Sequence, residues 1–211
     1  MELRHGRISL ALQRLREGDE TPLLLLHALR GSSADWGEGP AAWPGPVYAL
    51  DFSGHGASDR LKGGVYYPEL FAADADEALA HVGSAVLVGA GIGAYVALLL
   101  AGGRPASVPA AVLLPGAGLE GGGAEPRFDH VDPGVGADRN VPDDATDPYV
   151  DFCDEYIRPA DYAAEFAQSA RRLVLVENGS PRPPWWETAR TTPVAETAAD
   201  LDEALRRLLS G

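Results

Sequence analysis

Residues 86–101 read Val-Leu-Val-Gly-Ala-Gly-Ile-Gly-Ala-Tyr-Val-Ala-Leu-Leu-Leu-Ala and run into Gly102 and Gly103. The first three are a continuous apolar run, the pattern of a strand buried on both faces. From Gly91 onward the composition turns Ala/Leu-rich, which predicts a helix over residues 91–101 that stops at the glycine pair. Only small residues separate the two, so the chain must pass from strand to helix in one sharp turn.

The same grammar extends outward in both directions. Upstream, residues 23–26 after Pro22 and residues 47–50 repeat the buried-strand pattern, and residues 7–16 alternate loosely as an early strand ending in the turn Glu17-Gly18-Asp19. Leu70, Phe71, Ala75, Ala78 and Leu79 recur at helical spacing and predict a helix over 68–81. Downstream, strands are expected at 111–114, 149–152 and 173–176, with helices at 161–170 and 194–209. Strands alternating with helices imply an α/β chain with a mostly parallel central sheet and helices on both faces. Residues 115–148 are dense in Gly, Pro and Asp, lack a sustained period and read as an irregular loop. No repeat or second domain is visible, so residues 1–211 are read as one domain.

Bulk properties exclude several classes of function. A formal net charge of −14 argues against nucleic-acid backbones and anionic membranes. One cysteine, Cys153, allows no internal disulfide and fits a reducing compartment. No apolar run reaches the roughly 18 residues of a membrane span. Residues 1–9 carry charges with no signal-type apolar core after them, so a cytoplasmic location is expected.

In sheets of this kind ligands sit beyond the carboxyl ends of the strands. The strand at 23–26 ends in His27-Ala28-Leu29-Arg30-Gly31-Ser32-Ser33, with Trp36 close behind. The strand at 47–50 ends in Asp51-Phe52-Ser53-Gly54-His55-Gly56-Ala57-Ser58-Asp59, and the strand at 86–88 ends in Gly89-Ala90-Gly91-Ile92-Gly93. These three segments, in this order, resemble the α/β-hydrolase fold superfamily. The first is similar to its His-Gly loop, the second to its Asp-x-x-Gly-His-Gly-x-Ser loop, and the third stands where the nucleophile elbow Gly-x-Ser-x-Gly belongs. The resemblance covers nearly the whole chain and implies an α/β-hydrolase fold, with the cap absent or reduced to the 115–148 loop.

The departures from that pattern carry the functional information. Gly91 occupies the nucleophile position. The resemblance places the acid after the next-to-last strand, two residues before an Ile-x-Pro, and Glu155-Tyr156-Ile157-Arg158-Pro159 puts Glu155 there. It places the histidine after the last strand, where Glu177-Asn178-Gly179-Ser180-Pro181 offers Ser180, and no histidine follows His130. The Leu29 and Ile92 amides correspond to the oxyanion hole and are expected to point into the space that a bare Gly91 leaves open. His27, Arg30 and Trp36 flank that space. Trp185 and Trp186 either line a pocket or pack. Ser53 beside His55, and Cys153, are the alternative nucleophiles. His27, His55 and His130 match no metal motif, and no cofactor is implied.

Two functions of different class fit these residues. The first is a non-hydrolytic protein that binds a small molecule or a partner through the old pocket. The second is a cofactor-free lyase, cyclase or isomerase in which Glu155 moves a proton and the two amides stabilise an enolate-like oxygen. A hydrolase with a non-standard mechanism is the remaining alternative. An open pocket, one covered by the 115–148 loop, and one closed by a second copy or another chain are all compatible with the sequence.

Overall fold

The structure, a computed structural model, describes residues 1–62, 65–122, 146–177, 179 and 182–210. Eight strands form one sheet: β1 (Glu2–His5), β2 (Ile8–Arg16), β3 (Leu23–Leu26), β4 (Val47–Leu50), β5 (Val86–Ala90), β6 (Ala111–Leu114), β7 (Leu173–Val176) and β8 (Ala195–Ala198). Their order is β1-β2-β4-β3-β5-β6-β7-β8. β2 pairs antiparallel with both β1 and β4, and every pairing from β4 to β8 is parallel.

The continuous apolar strands are explained by cover on both faces. Along β3, Leu24 and Leu26 enter one core while Leu23 and Leu25 enter the other, as a period of two requires. The larger core takes in residues of α1 (Pro68–Val82), α2 (Ile92–Gly103), α3 (Ala160–Ser169) and α4 (Pro184–Arg190). The opposite core is covered by α5 (Leu201–Leu209), with Trp36 and Trp43 also packed on that face.

Two expected elements differ. Residues 149–152 belong to a 3-10 helix, Pro148–Glu155, started by Asp147, whose side chain accepts from the Tyr149 amide. Within that turn only Val150 and Cys153, three residues apart, face the core, so the short run that read as a strand wraps around a tight helical turn instead. The single helix expected over 194–209 is split into β8 and α5, because β7 pairs β8 through Leu173↔Ala195 to Val176↔Ala198. Asp200 then caps α5 by accepting from the Glu203 amide at 2.7 Å. β1 adds an edge strand that the alternation did not reveal. Most of the irregular stretch, residues 123–145, lies outside the described residues.

Candidate functional site

The elbow is built by close backbone approach. A Cβ on Gly89 would overlap the Gly93 carbonyl, and one on Gly93 would stand 2.7 Å from the His27 oxygen. Both positions therefore require glycine. Gly91 itself has φ 56 and ψ −120 and is the N-cap of α2, which starts at Ile92. This is a backbone region that side chains rarely adopt.

The space over Gly91 is filled. Following β6, residues 115–118 fold across the elbow as a strap. A Cβ on Gly91 would overlap the Ala117 oxygen and lie 2.8 Å from the Gly116 carbonyl carbon. The Leu29 amide donates to the Ala117 carbonyl at 3.1 Å and the Ile92 amide donates to the same oxygen at 3.0 Å. The two amides expected to face an empty pocket thus share a carbonyl of their own chain. Both ends of the strap are held: the Gly91 amide donates to the Leu114 carbonyl at 3.1 Å, and the Trp185 indole donates to the Leu119 carbonyl at 2.9 Å. Trp185 and Trp186 are fully buried and stand edge-to-face, with ring centroids 5.6 Å apart. They pack rather than line a pocket.

The loops around the elbow are fastened by two histidines. His27 shares a hydrogen bond with the Ala28 carbonyl through Nδ1 at 2.7 Å, and its Nε2 accepts from the Phe52 amide at 3.1 Å. His55 contacts the Ser53 carbonyl through Nδ1 at 3.1 Å, and its Nε2 accepts from the Arg30 amide at 3.2 Å. Both rings are therefore neutral, with the proton on Nδ1. Burial pushes His27 below its usual value, and burial together with the neighbouring His27 pushes His55 down to about 3. All four nitrogens are committed to backbone partners, which leaves neither ring a lone pair for a metal or a substrate proton. Arg30 sits at φ 63, the only non-glycine residue with positive φ among the described residues. Its guanidinium grips Asp151 of the 3-10 helix, with Nε 2.6 Å from the carboxylate.

The remaining sequence candidates lie elsewhere. Trp36 packs against the core on the other sheet face. Glu155 is half-buried at the end of the 3-10 helix and makes no hydrogen bond or ion pair with any described residue, so nothing ties it to Gly91, Leu29 or Ile92. Arg158, the neighbour that would balance it, lies 3.8 Å from Asp154 and over the Tyr95 ring. Cys153 is buried and its thiol is pushed up to about 12, chiefly by burial. Ser53 is fully buried. Ser180 and His130 lie outside the described residues. The strand that precedes Ser180 is β7, however, and β8 follows it. The last strand of the sheet therefore leads to Ala199 and Asp200, not to Ser180.

What residue-type reasoning missed is Ala117. Its functional group is a backbone carbonyl, and the only available signal was Gly116-Ala117-Gly118 directly beyond a strand end. Outside the strap, Pro115, Gly116, Gly118, Leu119, Glu120, Asp154 and Arg182 line a groove of about 430 Å³.

The sequence model of the Alpha/beta hydrolase family matches residues 23–210. No curated protein matches the chain. Among solved structures, Est816, described as an N-acyl homoserine lactone degrading enzyme, is 20% identical with a TM-score of 0.72, covering 100% of this chain and 99% of that one. The thioesterase domain from the curacin biosynthetic pathway is 18% identical with a TM-score of 0.72, covering 100% and 98%. The hypothetical protein PA1622 from Pseudomonas aeruginosa PAO1 is 19% identical with a TM-score of 0.70, covering 94% and 89%. At these identities the likeness is one of fold.

Proposed function

The chain belongs to the alpha/beta hydrolase family, and from that premise we propose that it is a binding member rather than a hydrolytic one, a small-molecule or partner-binding protein whose Ser–His pair has been replaced. The observation that carries this proposal is the occupied elbow. Gly91 supplies no oxygen, and the place where a side-chain nucleophile would stand is taken by the Ala117 carbonyl. A base is missing as well. Neither β7 nor β8 is followed by a histidine, since none occurs after His130. His27 and His55 each spend the Nε2 lone pair on a backbone amide, and so neither stands in for a general base.

Loss of either the serine or the histidine of a working triad costs about 10⁶ in kcat, roughly 8 kcal/mol of transition-state stabilisation. The usual residue of activity after such a loss comes from the oxyanion hole. Here the two amides of that hole are already satisfied, which removes the residue too. The proton-transfer alternative built on Glu155 gains nothing from the structure, because no contact links that carboxylate to the amides.

The test is hydrolysis of short p-nitrophenyl esters by the purified chain, run beside labelling with a fluorophosphonate probe. We expect no turnover above buffer and no labelled protein. Turnover that the fluorophosphonate abolishes, with one equivalent of probe bound, overturns the proposal.

A further inference from the structure

The large apolar side chains left in water are not scattered. Among the described residues seven are exposed, and five of these, Val65, Tyr67, Tyr156, Ile157 and Tyr162, come from three segments that meet. Tyr67 caps the start of α1, Tyr156 and Ile157 follow the 3-10 helix, and Tyr162 stands in the first turn of α3. The Tyr67 and Tyr156 rings lie 6.1 Å apart at 48°, which joins the first two segments. Ile157 is 74% exposed. Grouped apolar exposure of this kind marks a surface that something covers.

Charge indicates the occupant. Glu69 is exposed, two residues beyond Tyr67, and makes no hydrogen bond or ion pair among the described residues. Its carboxylate nevertheless reaches the patch. Burial first and Glu69 next push the Tyr95 and Tyr162 phenols up, and at Tyr156 Glu69 adds to burial, Cys153 and Tyr67. Arg158 does not answer this charge, since its guanidinium lies over the Tyr95 ring and 3.8 Å from Asp154. We propose that this corner docks an arginine-bearing segment of a partner protein, its guanidinium resting on the Tyr67 and Tyr156 rings and forked onto Glu69, with aliphatic neighbours covering Ile157 and Val65.

A guanidinium within about 6 Å of a ring centroid is attracted by the ring face, and two centroids 6.1 Å apart let one cation serve both. The chain makes the same contact internally: Arg14 stands 5.7 Å from the Tyr48 centroid and Arg158 5.5 Å from that of Tyr95. It also uses the fork, with Arg104 donating to Asp76 at 2.9 and 2.7 Å. Planar, forked recognition belongs to arginine and not to lysine. Tyrosine and arginine are also the residues in which binding energy concentrates at protein interfaces. A net charge of −14 steers a basic partner inward and repels anionic lipid. It equally opposes a second copy, which would bring its own Glu69 against this one. The docking residues include none of Gly91, Leu29, Ile92 and Ala117, so the inference goes beyond the function proposed above and stands or falls separately from it.

The probe is the peptide acetyl-Leu-Arg-Leu-amide, titrated at constant ionic strength into the full chain carrying ¹³C-labelled tyrosine and followed in aromatic correlation spectra. We expect the ring resonances of Tyr67, Tyr156 and Tyr162 to move on one saturating curve. The same peptide with citrulline, the neutral isostere of arginine, should bind several-fold more weakly. Glu69→Gln, a change at an exposed position, should cost the arginine peptide several-fold in affinity and leave the citrulline peptide unchanged. Immobile rings at these positions, equal binding of the two peptides, or an unaffected Glu69→Gln variant each overturn the inference. Sedimentation equilibrium tests the other occupant: a dimer that Ile157→Asp dissolves would assign the patch to a second copy and overturn the arginine segment. Fluorophosphonate labelling reports on the elbow alone, so the two proposals fail by different measurements.

Discussion

Two loops close over the same strand ends, and they are built on opposite principles. The loop after β4 works through side chains. The Asp51 carboxylate accepts from the Ser33 amide at 2.6 Å and the Ala57 amide at 3.0 Å, while the Ser58 hydroxyl accepts from the Ala11 amide at 2.9 Å. Asp59 takes the Ser9 amide at 2.8 Å, and His55 bridges to Arg30. The strap after β6 has no polar side chain between residues 115 and 118 and works through its backbone. The difference shows which parts of the site also hold the fold together. Asp51 and His55 satisfy amide groups that burial would otherwise leave unpaired, at about 1–3 kcal/mol each. A nucleophile satisfies nothing structural, so its position can be bare while the surrounding motif stays whole.

The largest expected effect probes the backbone-built side. In Gly89→Ala the new Cβ overlaps the Gly93 oxygen and stands 2.6 Å from the Ala94 nitrogen, both backbone atoms that no rotamer change can move. Loss of more than about 4 kcal/mol is expected, read as a fall in the urea midpoint or in soluble yield. A well-folded variant with a near-native midpoint would mean that β5 and α2 can separate, and the strict glycine requirement would fail.

The side-chain-built loop is best broken by acid. His27 and His55 titrate near 6.5 when unfolded and lower when folded. Their contribution to stability is therefore complete above about pH 6.5 and is lost as pH falls below that, toward about 3 for His55, by up to about 1.4 kcal/mol per pH unit for each ring. Urea midpoints measured from about pH 7 to about pH 4 should fall accordingly, and His55→Gln should flatten part of the slope. A slope unchanged in that variant would remove His55 from its assigned role. The smallest effect is expected where the two sides meet the 3-10 helix. Asp151→Asn breaks an ion pair whose side chains are 60% and 48% exposed, worth at most about 1 kcal/mol, and 1 M salt should erase the difference from the native chain.

The same contrast governs what the sequence made legible. β3, β4, β6 and β7 were readable to the residue because burial on both faces leaves an uninterrupted apolar run. The elbow was readable because Gly89, Gly91 and Gly93 are demanded by local geometry. β8 was not: Ala-Glu-Thr-Ala has good helix formers, and only the open edge of β7 makes a strand of it. Its absence from the sequence reading also moved the expected end of the sheet, and Ser180 with it. The plugging of Leu29 and Ile92 was out of reach for a further reason. Ala117 acts through an atom common to every residue, 25 positions beyond Ile92 in the chain, and no residue type announces it.

The buried Cys153 lends the chain a practical property. With its thiol pushed up to about 12 and no exposed surface, almost none of it is thiolate at neutral pH, and thiolate is the reactive form. Alkylating reagents and disulfide exchange therefore reach it only in molecules whose 3-10 helix has lifted from the core. Its labelling rate becomes a clock for that opening: a natural reporter, already installed, of how often the corner beside Arg158 breathes.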